Sequence, residues 1–555
     1  MNNPSSGTQS INPDVLDALV IGAGFSGLYQ LYCLREKIGL KVKVIEAGGG
    51  VGGTWYWNHY PGARCDSESH VYCYTFSEEL TEDWNWSERY PGPDEIVSYL
   101  DHVADRFKLK RDIEFDTRVT AARFDEATNH WVVQTDSDNP QSTRTHKAKF
   151  LITAVGCLSS ANVPDIAGLS DFKGEWHHTG QWPSQGVSFT GKRVGQIGTG
   201  STGIQAAPVI AETARHLTVF QRTANYSVPA RNHPLTDDQR SSHKKNAATL
   251  RELTRSNTNG HGWRISEQEV LKTSAEEQQD IFNKAWETGG LKFRASFKDL
   301  LSSDEANAKA AQFICKKIRD TVKDPETANT LADIDHYYAA KRPPIDTRYF
   351  ETFNQQHVSL VDLRKTPIEE ITPGGISCRG LETQDWQHYD LDVIVFATGY
   401  DAITGTLLKI DIQGRSGQTL NDAWREGPRN HLGVQVAGFP NLFIITGPGS
   451  PSVLTNMPAA IEQHVEWVSD CIDYMIKHDH STIESPESSV DKWVNHANEA
   501  ANKTLLPKVK HSWYLGANIP GKPRIFMPYA GGLDQYRNIC NSVAAQDYKG
   551  FVFAS

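Results

Sequence analysis

Apolar residues run from Ala18 to Ile21, give way to the glycine-rich stretch GAGFSG, return at helical spacing, and form a second run from Val42 that closes on Glu46. This order predicts a strand, a tight loop, an apolar-striped helix and a second strand, a β-α-β unit. The same signals recur from Val194, with the loop GTGSTG, a helix expected over 204–214 and a strand over 217–220. Between about 232 and 335 the chain turns charged, rich in Lys, Glu and Ala and poor in strand formers, which predicts a helical insertion. Within it Ser302 and Glu305 have capping-box spacing, and Ala310, Ile314, Ile318 and Val322 recur every fourth residue to make one apolar face, expected in the core. Strand-like sequence returns over 358–363 and 390–396, the second run ending in ATGYD (397–401); ITAVG (152–156) stands likewise before the second unit.

The two loops carry specific chemistry. Gly22 permits the tight turn, Gly24 lets the backbone approach a pyrophosphate, and Gly27 allows close helix packing, while the helix N-terminus supplies N–H groups and a positive dipole. Glu46 lies where a carboxylate can accept from a ribose diol. In the second loop Gly198, Gly200 and Gly203 take the same places, but the following strand ends in Gln221, Arg222 and Thr223 instead of an acid. Arg222 there offers a guanidinium fork to a 2′-phosphate, so NADPH is expected over NADH.

Composition narrows the class. The 555 residues carry a formal net charge of −11 without acidic or basic blocks, so neither nucleic acid nor an anionic membrane is an evident partner. No apolar run approaches the roughly 18 residues of a membrane span, the first residues lack a signal-peptide pattern, and the C-terminal FAS is no peroxisomal tripeptide. The 8 cysteines are scattered, with no C-x-x-C pair and no ligand-like spacing with histidine, which argues for reduced thiols, against a disulfide reductase and against a metal centre. A cytoplasmic enzyme of about two to four domains, with no obligate protein partner, is the expectation.

Residues 172–183, FKGEWHHTGQWP, contain the pattern F-x-G-x-x-x-H-x-x-x-W-P, with Phe172, Gly174, His178, Trp182 and Pro183 on its fixed positions. The pattern resembles the fingerprint of the flavin-dependent Baeyer–Villiger monooxygenases. GGTWYWNHYPGARCD, FQRT, KRPP, FATGYDAITG, GPGSPSVLTNM and SWYLGANIPGKPR extend the resemblance over roughly residues 15–553, closest to the phenylacetone and steroid monooxygenase group. It implies an α/β fold with two Rossmann-like dinucleotide-binding domains, one for FAD and one for NADP, the second inserted in the first, together with the helical insertion. The expected boundaries are a disordered tail over 1–14, the FAD domain over 15–150 and 390–555, the NADP domain over 151–231 and 336–389, and the insertion over 232–335.

The resemblance also implies a reaction: NADPH reduces FAD, O2 forms a C4a-peroxyflavin, and attack on a ketone carbonyl gives a Criegee intermediate that collapses to an ester or lactone. Such chemistry needs a fixed cation where negative charge gathers. On residues alone Arg342, in a KR pair before PP, reads equally as a surface or ion-paired arginine; the resemblance makes it the essential cation and Asp66 the carboxylate that holds it. By the same resemblance Lys341 and Trp513 serve NADP, and Glu46, Thr54, Trp55, Asp66, Tyr72, Val119 and Met457 contact FAD. Residues 450–453 shape the ketone pocket, and His178 has a structural or gating role rather than that of a base. The stretch YYAA (337–340) departs from relatives that often carry a glycine there, and MPYAGGLDQYR (527–537) differs locally as well. An N- or S-oxidising flavin monooxygenase and a non-catalytic NADPH-sensing flavoprotein remain the alternatives.

Overall fold

The structure, a computed structural model, describes residues 15–137 and 144–555; the expected tail over 1–14 lies outside the described residues. Two sheets organise the chain. The larger runs in the order Asp411–Gln413, Thr117–Asp125, His130–Ser137, Arg144–Thr153, Leu16–Ile21, Val42–Ile45, Ile113–Glu114, and Leu442–Ile444 also pairs with Arg144–Thr153. Leu16–Ile21 is parallel to both of its neighbours and almost entirely buried, so it reads as a continuous apolar run. The helix after it, Phe25–Tyr32, continues in wider turns to Ile38 and stops at Gly39, whose φ of 84° terminates it at little steric cost.

The second sheet runs in the order Val358–Asp362, His216–Gln221, Arg193–Ile197, Val393–Phe396, Glu175–His178, all parallel. Its crossover helix, Ser201–Ala211, ends three residues before the expected 214. Two boundaries expected from sequence shift. Arg144–Thr153 crosses residue 150 and pairs Leu151 to Thr153 with the first sheet. Val393–Phe396, expected with the first lobe, bonds to Glu175–His178 and Arg193–Ile197 in the second. The apolar run is the same in either lobe, so only strand pairing decides its sheet. The run at 390–396 is also two strands: Trp386–Asp390 closes an antiparallel meander with Ile368–Thr372 and Gly375–Arg379, and Val393–Phe396 starts afresh.

The insertion is helical, with Asp237–Lys245, Ala247–Ser256, Ala275–Thr288, Asp304–Thr321 and Pro325–Ala332. In Asp304–Thr321 the apolar face is buried, with Ala310, Ile314 and Ile318 fully inaccessible and Val322 just past its end. Each isoleucine contributes about 1.5–3 kcal/mol by leaving water. The cap lies one residue from its expected place: Ser303, not Ser302, accepts from the Ala306 N–H at 3.2 Å. Ser302 is instead held in the preceding turn, its N–H donating to the Asp299 carbonyl.

The chain passes between the lobes twice, and the two passages run side by side. Ile403 N–H donates to the Cys157 carbonyl, Asp401 N–H to Ser160 and Asn162 N–H to Gly399, making a short antiparallel ribbon.

Candidate active site

The first glycine loop is closed by its own backbone. A Cβ on Gly22, where φ is 103°, would lie 2.6 Å from the Ala154 carbonyl oxygen, and one on Gly27 would lie 1.8 Å from the Gly22 oxygen. Gly24 was expected to face a pyrophosphate; its side-chain direction is occupied by Gly53 Cα at 3.2 Å, so Gly24 and Gly53 bring two backbones together. Glu46 is buried, and its oxygens accept from Ala23 N–H at 2.6 Å and Gly48 N–H at 2.7 Å. Burial raises its pKa, and these backbone donors oppose the rise. Each oxygen keeps a lone pair for a ribose hydroxyl. Val119 is buried on Thr117–Asp125, whose Thr117 N–H donates to the Glu46 carbonyl at 2.9 Å, and Thr54 opens the short helix Thr54–Trp57 that follows Gly53. Trp55 donates its indole N–H to the Tyr72 hydroxyl at 3.1 Å, with the rings edge to face.

The second loop repeats the device. A Cβ on Gly198 (φ 109°) would meet the Ala397 oxygen at 2.4 Å, and one on Gly203 the Gly198 oxygen at 2.2 Å, whereas Gly200 faces open space. Thr199 donates its hydroxyl to the Thr223 carbonyl at 2.8 Å, fixing the loop to the strand end. Arg222, just beyond that strand, is exposed and makes no hydrogen bond or ion pair among the described residues. Lys341 lies close enough to feel it: burial first, then the charge of Arg222, outweigh Asp335 and bring the Lys341 pKa down to about 8. Neither of these two neighbouring cations is in an ion pair among the described residues.

Arg342 joins the segments 66–67 and 453–455. Its Nε and Nη2 donate to the two oxygens of Asp66, the latter at 2.8 Å, and its Nη1 donates to the carbonyls of Val453 at 2.9 Å and Thr455 at 3.2 Å. Burial alone would lower its pKa; the Asp66 carboxylate reverses that and the net shift is upward, so the guanidinium stays charged. Asp66 is itself fixed by its neighbours, Cys65 N–H bonding to the Pro91 carbonyl and Ser69 N–H to that of Arg89. Ala340, Val453, Met457, Trp513 and Tyr514 pack into one cluster beside this pair, so the site draws on chain positions from 66 to 514.

The fingerprint residues do a different job. Phe172 and Trp182 are buried in apolar clusters of the second lobe, and a Cβ on Gly174 would strike the Asp392 carbonyl at 2.4 Å. His178 ends the edge strand, and its Nδ1 accepts from Gly180 N–H at 3.0 Å, which leaves the proton on Nε2. Burial lowers its pKa to about 4; the Gly399 and Asn162 carbonyls oppose that drop without reaching good hydrogen-bond geometry. A neutral, buried imidazole suits an architectural position. Its ring meets Tyr400 edge to face, and the Tyr400 hydroxyl donates to Asn58, so the fingerprint strand is tied to the Thr54–Trp57 helix of the first lobe.

Three features escaped the sequence. Arg294, on the turn Leu291–Ala295 of the insertion, keeps some accessible area yet makes no hydrogen bond or ion pair among the described residues. Burial first and the charge of Arg342 second lower its pKa, so it is a second guanidinium beside the first. His261, buried and stacked on Trp263 at 5.0 Å, is pushed well below its ordinary pKa by burial and by both arginines. Ala339 adopts φ 58° just before Lys341. A β-carbon in that region costs about 1–2 kcal/mol, partly offset by glycine's extra freedom in the unfolded chain. Ala339→Gly is therefore expected to leave stability unchanged or raise it by up to about 1 kcal/mol, read as a thermal midpoint that does not fall.

The residues suit the nucleotides their motifs imply: at Gly22, Gly27, Gly198 and Gly203 a Cβ would strike the backbone, and the charges of Arg222 and Lys341 lie close enough to act on each other. Residues 17–232 match the flavin-binding monooxygenase-like family. A Baeyer–Villiger monooxygenase of Pseudooceanicola batsensis is 42% identical over 554 residues, covering 100% of this chain and 98% of that protein. The phenazine N-monooxygenase PhzNO1 of Lysobacter antibioticus is 41% identical, covering 97% of each. The structure of an oxidised steroid monooxygenase bound to NADP superposes with a TM-score of 0.91 at 48% identity, covering 98% of this chain and 100% of that one. The cofactors are FAD and NADP(H). Likeness of this extent, from one end of the protein to the other, makes the chain a member of the flavin-dependent Baeyer–Villiger monooxygenase family.

Proposed function

We propose that the protein oxidises a ketone, aryl, cyclic or steroidal, to the ester or lactone at the expense of NADPH and O2. The observation that supports this most directly is Arg342, held on one side by both oxygens of Asp66 and on the other by the Val453 and Thr455 carbonyls. Bound FAD, once reduced, would supply the two electrons and the means of activating O2. The chain's own residues do the rest. Asp66 orients the guanidinium and keeps it charged, and Arg342 supplies fixed positive charge where the carbonyl oxygen becomes anionic. Arg294 adds a second positive charge from the insertion. Gly22, Gly24, Gly27, Glu46, Thr54, Trp55, Tyr72, Val119 and Met457 hold FAD; Gly198, Gly200, Gly203, Arg222, Thr223, Lys341 and Trp513 hold NADPH. Phe172, Gly174, His178 and Trp182 keep the two lobes in register.

Incubating the FAD-loaded protein with NADPH, O2 and phenylacetone, cyclohexanone or progesterone should give a product one oxygen heavier than its ketone by mass spectrometry. Hydrogen peroxide as the only product from every ketone, with no oxygenated flavin in stopped-flow spectra, would refute the proposal. The relative named as a phenazine N-monooxygenase supports a second reading, oxidation of a heteroaromatic nitrogen, and an N-oxide formed in preference to any ester would favour it.

Cofactor choice has its own signature. Arg222→Ala should raise the NADPH KM about ten-fold or more and barely move that for NADH, since only NADPH carries the 2′-phosphate. Lys341 titrates at about 8 in the free protein. The ammonium is present below that pH and lost above it, so kcat/KM for NADPH should fall as pH rises through about 8 while the NADH profile stays flat over that window. Equal profiles for both nucleotides would remove Lys341 from the phosphate site.

A further inference from the structure

A cavity of about 630 Å³ lies apart from Arg342 and both glycine loops, between the segment 70–86 of the first lobe and the helices Asp237–Lys245 and Ala247–Ser256 of the insertion. Its volume falls within the usual range for a small-molecule site. One side is apolar and largely aromatic: Trp84, Trp86, Tyr99, Leu80, Leu235 and Leu250 line it. The Trp84 indole N–H is buried there without an acceptor, an unmet donor that a ligand oxygen would satisfy.

The lining cations are not equivalent. Lys244 donates to the Glu82 carbonyl, Arg240 is engaged by the Leu235 carbonyl and Asp237, and Arg255 is paired with Glu466. Arg251 and Lys245, six residues apart on consecutive helices, line the cavity with side chains that make no hydrogen bond or ion pair among the described residues. Glu78, Glu82 and Glu252 also reach the lining, and none is paired with either cation. An apolar body with one anionic end matches this surface: rings or methylenes against the indoles, and a carboxylate against Arg251 and Lys245.

The cavity also backs onto the flavin side of the molecule. Val71 and Cys73 line it, and between them Tyr72 turns the other way to meet Trp55. The Val71 carbonyl accepts from Asn456 Nδ2 at 2.6 Å, one residue before Met457. The lining residue Thr75 is clamped by Glu462, which accepts from its N–H and its hydroxyl at 2.5 Å each.

We propose that this cavity is a second binding site, for an apolar monocarboxylate, separate from the ketone site and sharing the wall 71–75 with the flavin. The test uses the FAD-loaded protein and decanoate, with decanol as the uncharged control, by equilibrium dialysis. Decanoate should bind saturably and at least ten-fold more tightly than decanol. The exposed-helix variant Lys245→Glu/Arg251→Glu should lose that preference, and Leu250→Trp should fill the cavity and abolish binding of both. Occupancy should also shift the flavin absorption spectrum, and a ketone substrate should not displace the ligand. Should Leu250→Trp fold poorly, the charge-reversal variant and the ketone competition decide alone. Equal affinity for decanoate and decanol, indifference to charge reversal, or displacement by ketone would each overturn the proposal. None of these outcomes depends on ester formation, so the catalytic assignment stands or falls separately.

Discussion

Arg342→Ala is expected to lower ketone oxygenation by about 10³-fold or more while NADPH still reduces the bound flavin. The guanidinium has five hydrogen bonds inside the site, two to Asp66, two to backbone carbonyls and a longer one to the Ser67 hydroxyl, so its charge is fixed in place before any substrate arrives. A preorganised cation of this kind needs no reorganisation as negative charge gathers, which is the source of its large effect. Flavin reduction requires only that the nicotinamide reach the flavin, and the anchors for that, Lys341, Arg222 and the second glycine loop, are untouched. Stopped-flow reduction near the wild-type rate, with NADPH consumed and peroxide released in place of ester, is the expected pattern. Unimpaired ester formation would remove Arg342 from the chemistry. Asp66→Ala should be the less stable of the two variants: it leaves a buried cation with only neutral acceptors, two carbonyls and the Ser67 hydroxyl, a loss toward the lower end of about 3–5 kcal/mol.

Gly22→Ala and Gly198→Ala form the second prediction, with opposite phenotypes from the same substitution. Both glycines have φ above 100°, and in both a β-carbon would press on a carbonyl oxygen, that of Ala154 or of Ala397, at 2.6 or 2.4 Å. Neither clash can be relieved by a side-chain rotation, because the obstacle is backbone. Gly22→Ala should purify as colourless protein that recovers little FAD on reconstitution. Gly198→Ala should remain yellow yet be reduced by NADPH at least 100-fold more slowly, and dithionite should still bleach it. Loss of colour in Gly198→Ala, or normal NADPH reduction in it, would refute the division of the two nucleotides between the loops.

These sites differ in how far the sequence reveals them. The loops were legible because glycine spacing encodes a backbone shape, and a backbone shape is local. The helical insertion was legible for the same reason: Ala310, Ile314 and Ile318 keep helical period, and burial follows period. Its cap moved by one residue because Ser302 and Ser303 stand side by side, and a hydroxyl at either could serve. The lobe membership of 393–396 was not legible, since a fully buried strand carries no mark of which neighbours it bonds. Arg294 and His261 were hidden within charged, irregular stretches, and only tertiary folding brings them toward Arg342. The acceptors from Val453 and Thr455 are main-chain groups, which every residue possesses, so no side-chain pattern could announce them.

The paired ribbon between the lobes, where 157–162 lies against 399–403, has a consequence for engineering. Because the strand that enters the second lobe and the strand that leaves it are hydrogen-bonded to each other, both covalent connections to that lobe lie at one place, like the two wires of one plug. It can be exchanged as a cassette for the matching lobe of a relative by cutting at two neighbouring peptides, and the graft must then restore the ribbon, the Tyr400 to Asn58 contact, the bonds of Gln205 to Tyr60 and Arg64, those of Arg342 to Asp66, Val453 and Thr455, and the faces of the insertion.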